Sequence, residues 1–412
     1  MQGLLGLAAL LLLAWLLSEQ RWRIPYRIVI LGVALQFALA LLFVKFPPAA
    51  KFFLVLNQGV DALQRATDAG TSFVFGYLGG GPLPYAETSP GGGYIFAFRA
   101  LPLVLTISAL ASLLFYWGVL QIIVKAFAWL LRRTMGIGGA LGLGAAVHIF
   151  VGNIEAPLLV RPYLLRMERG ELFALMTCGM AGIAGTVMVL YATILGPIIP
   201  GALGHILAAS VISTPAGLAV AALMIPFGAN PDEDAKLVMG DPMLSAMDAL
   251  AKGTADGVIF LANITAMLIV AIAAVTLVNM ALTWLPDTGE HAITLQAIFA
   301  YGFRPIMWLI GIPANEVVTA STLMGTKTVL NEFIAYVDMA HVPADMLSVH
   351  SRLIMTYAMC GFANFGSAGI MIGGMTAMCP ERKHDIVGLG LRSIVSGTIA
   401  TCMSGAVVGL LS

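Results

Sequence analysis

The sequence predicts an all-α, polytopic inner-membrane protein with about eight transmembrane helices, two opposed re-entrant hairpins and an inverted repeat. Three observations lead there. Of 412 residues, 59% are hydrophobic and only 10% are charged, whereas a soluble domain carries about 25% charged residues. Mean hydropathy is +0.94. Apolar runs of roughly 20 residues, the length that crosses a bilayer, recur along the chain. This composition excludes an ordinary cytosolic enzyme and a disordered chain. Lys+Arg and Asp+Glu are both 21, so no net field attracts nucleic acid.

The runs are 3–19, 26–46, 101–131, 172–199, 203–227, 258–284, 352–378 and 386–411. No Lys or Arg precedes the first; Arg21, Arg23 and Arg27 follow it. That order fits an uncleaved span whose N-terminus is outside. Residues 50–78 interleave Asn57, Asp61, Gln64, Arg65 and Asp68 with Phe52, Leu54, Val60 and Leu63, the pattern of an interfacial amphipathic helix. Residues 79–94 form a Gly/Pro loop. Residues 229–246 are a second polar break, before a surface helix.

Two segments are too interrupted for plain spans: 138–166, centred on GNIEAP, and 313–340, centred on TKTVLNEF. Each sets a carboxylate, Glu155 or Glu332, among apolar flanks. Each fits a re-entrant hairpin with a tip buried in protein or facing a wet cavity. Charge placement supports this. With the N-terminus outside, Lys125, Arg132, Arg133, Arg161, Arg166, Arg169, Lys236, Lys252, Arg382 and Lys383 all fall inside, as the positive-inside rule requires. The 285–291 loop, outside, has no Lys or Arg. Both termini are then outside. The second hairpin enters from the opposite side to the first, and two spans follow each. Such an inverted repeat implies alternating access around a midplane site. The expected division is a scaffold, 1–137 and 228–296, and a transport domain, 138–227 and 297–412.

Glu155 and Glu332 stand out because a carboxylate at membrane depth is costly unless paired, solvated or bound. The runs after the hairpins contain Gly179, Gly182 and Gly185, and Gly361, Asn364, Gly366 and Ser367. Glycines there allow either unwound, ligand-binding backbone or close helix packing. For the first run both readings stand. For the second, Asn364 and Ser367 add polar groups three residues apart, which favours binding. A carboxylate, an amide and a hydroxyl at Glu332, Asn364 and Ser367 suit the vicinal hydroxyls of a sugar, with Phe362 against an apolar ligand face. Cys178, Cys360, Cys379 and Cys402 lack metal-ligand spacing and read as small buried hydrophobes. No metal site or cofactor is expected.

His148–Leu164 (HIFVGNIEAPLLVRPYL) resembles the first-hairpin signature of concentrative nucleoside transporters. Leu323–Tyr336 (LMGTKTVLNEFIAY) resembles their second-hairpin signature, and Cys360–Phe365 (CGFANF) their seventh span. The resemblance implies a homotrimer in the bilayer that takes up nucleosides by ion symport. It places ribose contacts at Glu332, Asn364 and Ser367, an aromatic contact at Phe362, and base-side contacts at Gly152, Asn153, Ile154, Glu155 and Val187. The tip departs from the pattern: Asn153 and Ile154 stand where the family usually has Gln and then Thr or Ser.

The ion site departs further. Sodium-coupled relatives carry Asn at the position of His148 and Ser at that of Gly182. Imidazole is a poor ligand for a hard alkali cation, so proton coupling is expected over sodium. Glu155, Glu332 and His148 are the candidate proton carriers. A sodium symporter is the alternative within the class, and a channel the alternative outside it. The polar groups are too sparse to line a continuous pore. No nucleophile–base pair or paired-acid motif supports an enzyme.

Overall fold

The computed structural model describes residues 2–85, 94–228, 243–284 and 293–412, without the side chains of 47–54, 56 and 57. Among these residues the secondary structure is entirely helical. Half of the 79–94 loop, most of the 229–246 break with Lys236, and the 285–291 loop lie outside them.

The chain opens with α1 (Gln2–Leu16), α2 (Tyr26–Lys45) and α3 (Pro47–Phe75). The last is the helix expected at the interface. A short α4 (Phe96–Arg99) leads into α5 (Leu103–Tyr116) and α6 (Val119–Met135). The single span expected over 101–131 is therefore two helices, parted at Trp117–Gly118, where Gly118 has φ +80°. The physical reason is charge. The α5 helix is apolar, whereas α6 carries Lys125, Arg132 and Arg133 and has the two-faced character of an interfacial helix.

The first interrupted segment forms α7 (Gly139–Val147), α8 (Glu155–Leu159) and α9 (Arg161–Leu164). The next span is broken into α10 (Arg169–Ala181) and α11 (Gly185–Leu195), followed by α12 (Ala202–Met224). Then comes α13 (Ala246–Leu282), 37 residues without a break, or about 55 Å. The expected surface helix and sixth span are one element there. An amphipathic α14 (Leu295–Leu309) precedes the second interrupted segment, α15 (Val317–Val329) and α16 (Glu332–His341). The broken span α17 (Val349–Met359) and α18 (Phe365–Met378) and the long α19 (Lys383–Leu411) close the chain.

Among the described residues, six stretches are long and apolar enough to cross a membrane: Tyr26–Lys45, Phe96–Tyr116, Arg169–Leu195, Ala202–Met224, Ala246–Leu282 and Pro380–Leu411. Gln2–Leu16 and Phe365–Met378 are apolar but shorter. At 1.5 Å per residue α1 reaches only about 22 Å, so eight full spans are not found among the described residues.

The element order extends the repeat beyond a hairpin and two spans. The series α5, α6, α7–α9, α10/α11, α12 is matched by α13, α14, α15/α16, α17/α18, α19. Its two leading helices, α5 and α13, form the most extensive helix pair. Gly253 and Gly257 permit this: a Cβ on Gly253 would lie 2.7 Å from the Ser108 carbonyl, and one on Gly257 would lie 3.1 Å from the Leu105 Cα. Small residues four apart let helices approach this closely in a membrane. The α1 and α2 helices pack elsewhere, on α19 and α12.

One end of the molecule gathers charge. Arg169 bridges Glu19 (3.2 Å) and Asp385 (2.9 Å), Arg382 pairs with Asp385 (2.8 Å), and Arg392 reaches Glu19. Arg382 also donates to the Met167 carbonyl at 2.7 Å. The segments expected on one membrane side are thus joined there. At the other end of α1, Gln2 donates to the Trp308 carbonyl and the Ser412 hydroxyl meets His350 Nδ1 at 3.0 Å.

Candidate functional site

The two span breaks cross at the centre of the fold. At the end of α10, Gly182 is extended (φ −118°, ψ 177°). Its carbonyl accepts a hydrogen bond from the Phe362 N–H at 3.1 Å, in the break between α17 and α18. A Cβ at Gly361 would stand 2.7 Å from the Met180 carbonyl, so the crossing requires glycine there. Gly179 lies against the His148 ring, and the Gly185 N–H donates to the Phe150 carbonyl at 3.0 Å. In the first run the glycines therefore serve both ends: Gly182 unwinds the span, and Gly179 and Gly185 let it pack closely.

Beside this crossing lies a cavity of about 170 Å³, lined mainly by apolar side chains with a few convergent polar groups, as small-molecule sites are. All nine expected substrate contacts line it: Gly152, Asn153, Ile154 and Glu155 from the α7–α8 turn, Val187 from α11, Glu332 from α16, and Phe362, Asn364 and Ser367 around the α17–α18 break. Sequence separations above 200 residues close here because the two halves of the repeat face each other.

Glu332 is the best-held group. Asn331 caps α16, its Oδ1 accepting from the Ile334 N–H at 2.9 Å, which leaves Glu332 as the first helical residue. A carboxylate is favoured at that end of the helix dipole. The Tyr191 hydroxyl donates to Glu332 Oε1 at 2.7 Å, and Asn364 Nδ2 donates to Oε2 at 2.9 Å. Glu332 and Asn364 are 3% and 1% exposed. A carboxylate has about four lone-pair positions, so two donors orient Glu332 and leave it able to accept from a ligand. Asn364 also caps α18, its Oδ1 accepting from the Ser367 N–H at 2.7 Å. Its role is thus largely to hold Glu332 and start α18. The three-residue spacing to Ser367 that suggested a shared polar face is the spacing of this cap.

At the opposite tip, Asn153 Nδ2 donates to the Ser367 carbonyl at 3.3 Å and joins the two halves. The Glu155 side chain folds back over Gly152, whose missing Cβ makes room for the carboxylate. Ile154 packs against Gly374, 3.1 Å from where a Cβ would stand.

The expected ion-coupling residues divide. Glu155 and Glu332 line the cavity, and His148 and Gly182 lie behind it. The His148 carbonyl is 3.5 Å from where a Gly182 Cβ would stand. The ring is buried, and Nε2 has no hydrogen-bond partner among the described residues. No group of three or more His, Cys, Asp or Glu side chains that could hold a metal ion is found among those residues.

Sequence reasoning missed Tyr191 and the cavity wall on α13. Tyr191 is four residues after Val187, one helical turn along the same face, and that spacing was the available signal. It also missed Arg352, 5% exposed, whose guanidinium donates to the carbonyls of Met339 (2.9 Å), Val342 (2.5 Å), Pro343 (3.2 Å) and Leu347 (3.0 Å). This clamp holds the C-terminal end of α16, and with it the helix that carries Glu332.

Comparison with known proteins follows the same order along the chain. Family models match in series: Na+ dependent nucleoside transporter N-terminus over residues 5–78, a gate model described as nucleoside recognition over 97–198, and Na+ dependent nucleoside transporter C-terminus over 205–409. An uncharacterized transporter of Haemophilus influenzae is 36% identical, covering 100% of this chain and 97% of that protein. Solute carrier family 28 member 3 of Rattus norvegicus is 35% identical over 99% of this chain, which spans 58% of the rat protein's length. Among solved structures, CNTnw in an inward-facing substrate-bound state superposes with a TM-score of 0.87 at 34% identity, covering 99% of this chain and 98% of that one. Similarity of sequence and fold along the whole chain leads to one conclusion: this chain belongs to the concentrative nucleoside transporter family, whose members are membrane transporters and not enzymes.

Proposed function

We propose that this protein imports nucleosides across the bacterial inner membrane by symport with protons. The observation that carries the reading is the Glu332 carboxylate, fixed by Tyr191 and Asn364 in a cavity lined by both halves of the chain. A buried, oriented carboxylate is a strong acceptor for a pair of sugar hydroxyls. Ser367 and Phe362 complete the ribose end; Gly152, Asn153, Ile154, Glu155 and Val187 face the base. The α7–α9 and α15/α16 units act as opposed re-entrant hairpins, with both termini outside.

The packing favours a change to the division read from chain order. With α1 and α2 on α19 and α12, they travel with the transport unit, and the α5–α13 pair forms the centre of the scaffold. The protein works as a homotrimer. Exposed apolar side chains of α13, among them Ile269 and Leu277, meet lipid or a second copy.

Proton coupling rests on His148 and Gly182, which replace the side-chain oxygens of sodium-coupled relatives. A buried imidazole, its Nε2 without a partner among the described residues, is a poor ligand for sodium. Sodium coupling is the competing reading. The family models describe sodium dependence, and the His148 carbonyl beside Gly182 is an oxygen that could serve it. The transport reading is tested by uptake of labelled uridine and adenosine into proteoliposomes. Saturable uptake, competed by nucleosides but not by free ribose, is expected. Conductance with no saturation would favour a channel instead.

A further inference from the structure

The wall opposite the two tips comes from α13. Phe260, Asn263, Ile264, Met267, Leu268 and Ala271 all line the cavity. Their spacing, 3, 1, 3, 1 and 3 residues, is one stripe of a helix. Five of the six are apolar. Polar side chains further along α13 have partners within the protein. Thr265 donates to the Leu261 carbonyl (2.8 Å), Thr276 to the Ile272 carbonyl (2.7 Å), and Asn279 to Gln296 Oε1 (3.0 Å). The Asn263 carboxamide has none among the described residues. Asn263 is exposed and lines the cavity, so its carboxamide is open to a bound ligand.

We infer that Asn263 is a further specificity-determining residue, whose carboxamide pairs with the hydrogen-bonding edge of the nucleobase. The inference rests on the nucleoside-transport reading above. A carboxamide presents a donor and an acceptor side by side. That matches adjacent acceptor and donor groups on a base edge, as in the pairing of Asn with adenine. Asn153, on the facing wall, has one N–H committed to the Ser367 carbonyl, whereas the Asn263 carboxamide is wholly uncommitted among the described residues. The contact comes from the helix paired with α5, whereas the ribose is held by α16 and the α17–α18 break. Base and sugar are thereby read by different parts of the fold.

The test compares the wild type with Asn263→Leu, Asn263→Ala and Asn263→Gln in proteoliposomes. Labelled uridine uptake is competed with uridine, cytidine, adenosine, inosine and benzimidazole riboside, whose base lacks a donor–acceptor edge. Loss of one or two neutral hydrogen bonds should weaken the natural nucleosides about five- to tenfold in Asn263→Leu and Asn263→Ala. Benzimidazole riboside should be unchanged, and Asn263→Gln should recover part of the loss. An unchanged competition profile, or equal weakening of all five compounds, would overturn the inference while leaving nucleoside transport intact. Absence of nucleoside uptake by the wild type would overturn the transport reading and this inference with it.

Discussion

Replacing Glu332 by Gln isolates the group on which the substrate site depends. In the native site both carboxylate oxygens accept, one from the Tyr191 hydroxyl at 2.7 Å and one from Asn364 Nδ2 at 2.9 Å. The glutamine carbonyl can still take one donor, but its NH2 group faces the other. The charge is lost as well. A hydrogen bond to a charged group contributes about 1.5–3 kcal/mol and a neutral one about 0.5–1.5 kcal/mol. Two ribose hydroxyls that lose their charged acceptor therefore weaken together by about 2–3 kcal/mol. That corresponds to a loss of roughly 30- to 150-fold in kcat/KM for uridine. The assay is initial uptake into proteoliposomes, run in parallel with 2′,3′-dideoxyuridine. The dideoxy substrate lacks the 2′ and 3′ hydroxyls, so its penalty should fall to about threefold or less. An equal penalty for both substrates would refute the reasoning, because Glu332 would then act through local structure and not on the sugar.

Three further outcomes follow from the packing. Arg352→Met should strip four backbone carbonyls of their donor and cost about 3 kcal/mol; a fall of several degrees in Tm in detergent, larger than for Arg352→Lys, checks it. Gly361→Ala pushes a methyl to 2.7 Å from the Met180 carbonyl, an overpacking worth roughly 1–3 kcal/mol. It should abolish most uptake, whereas Gly369→Ala, with nothing within 4 Å of the new methyl, should transport normally. Ile154→Thr places a hydroxyl at the base-side tip and should change the order of competing nucleosides more than the uptake rate; an unaltered order would remove Ile154 from the site.

Local chemistry decided how much of this was legible in the sequence. GNIEAP and TKTVLNEF betray themselves because carboxylates and amides interrupt apolar runs, and the site residues on them do meet in one cavity. The Gly182 and Gly361 breaks were legible as glycine-rich interruptions, but not their use, which depends on one break crossing the other. Tyr191 and Asn263 were hidden for the opposite reason. Each is a polar group in an apolar helix, and only the fold shows what it faces: Glu332 from a distant segment for Tyr191, the cavity for Asn263. Arg352 reads as a charge at the mouth of a span, and only the turn of the chain after α16 brings four carbonyls around it. Asn364 lines the cavity and also caps α18, a second use that was not legible because a capping residue and a ligand contact look alike in sequence. The packing of α1 and α2 was hidden for a related reason: chain order does not say that they fold back onto α12 and α19.

The most direct test of the account is accumulation of labelled uridine against its gradient in proteoliposomes, under an imposed pH difference without sodium and under a sodium gradient at equal pH. The account predicts concentrative uptake with the proton gradient alone. Accumulation driven by sodium, with none driven by protons, would contradict it. It would show that the His148 carbonyl and its neighbours hold an ion that the imidazole was argued to exclude.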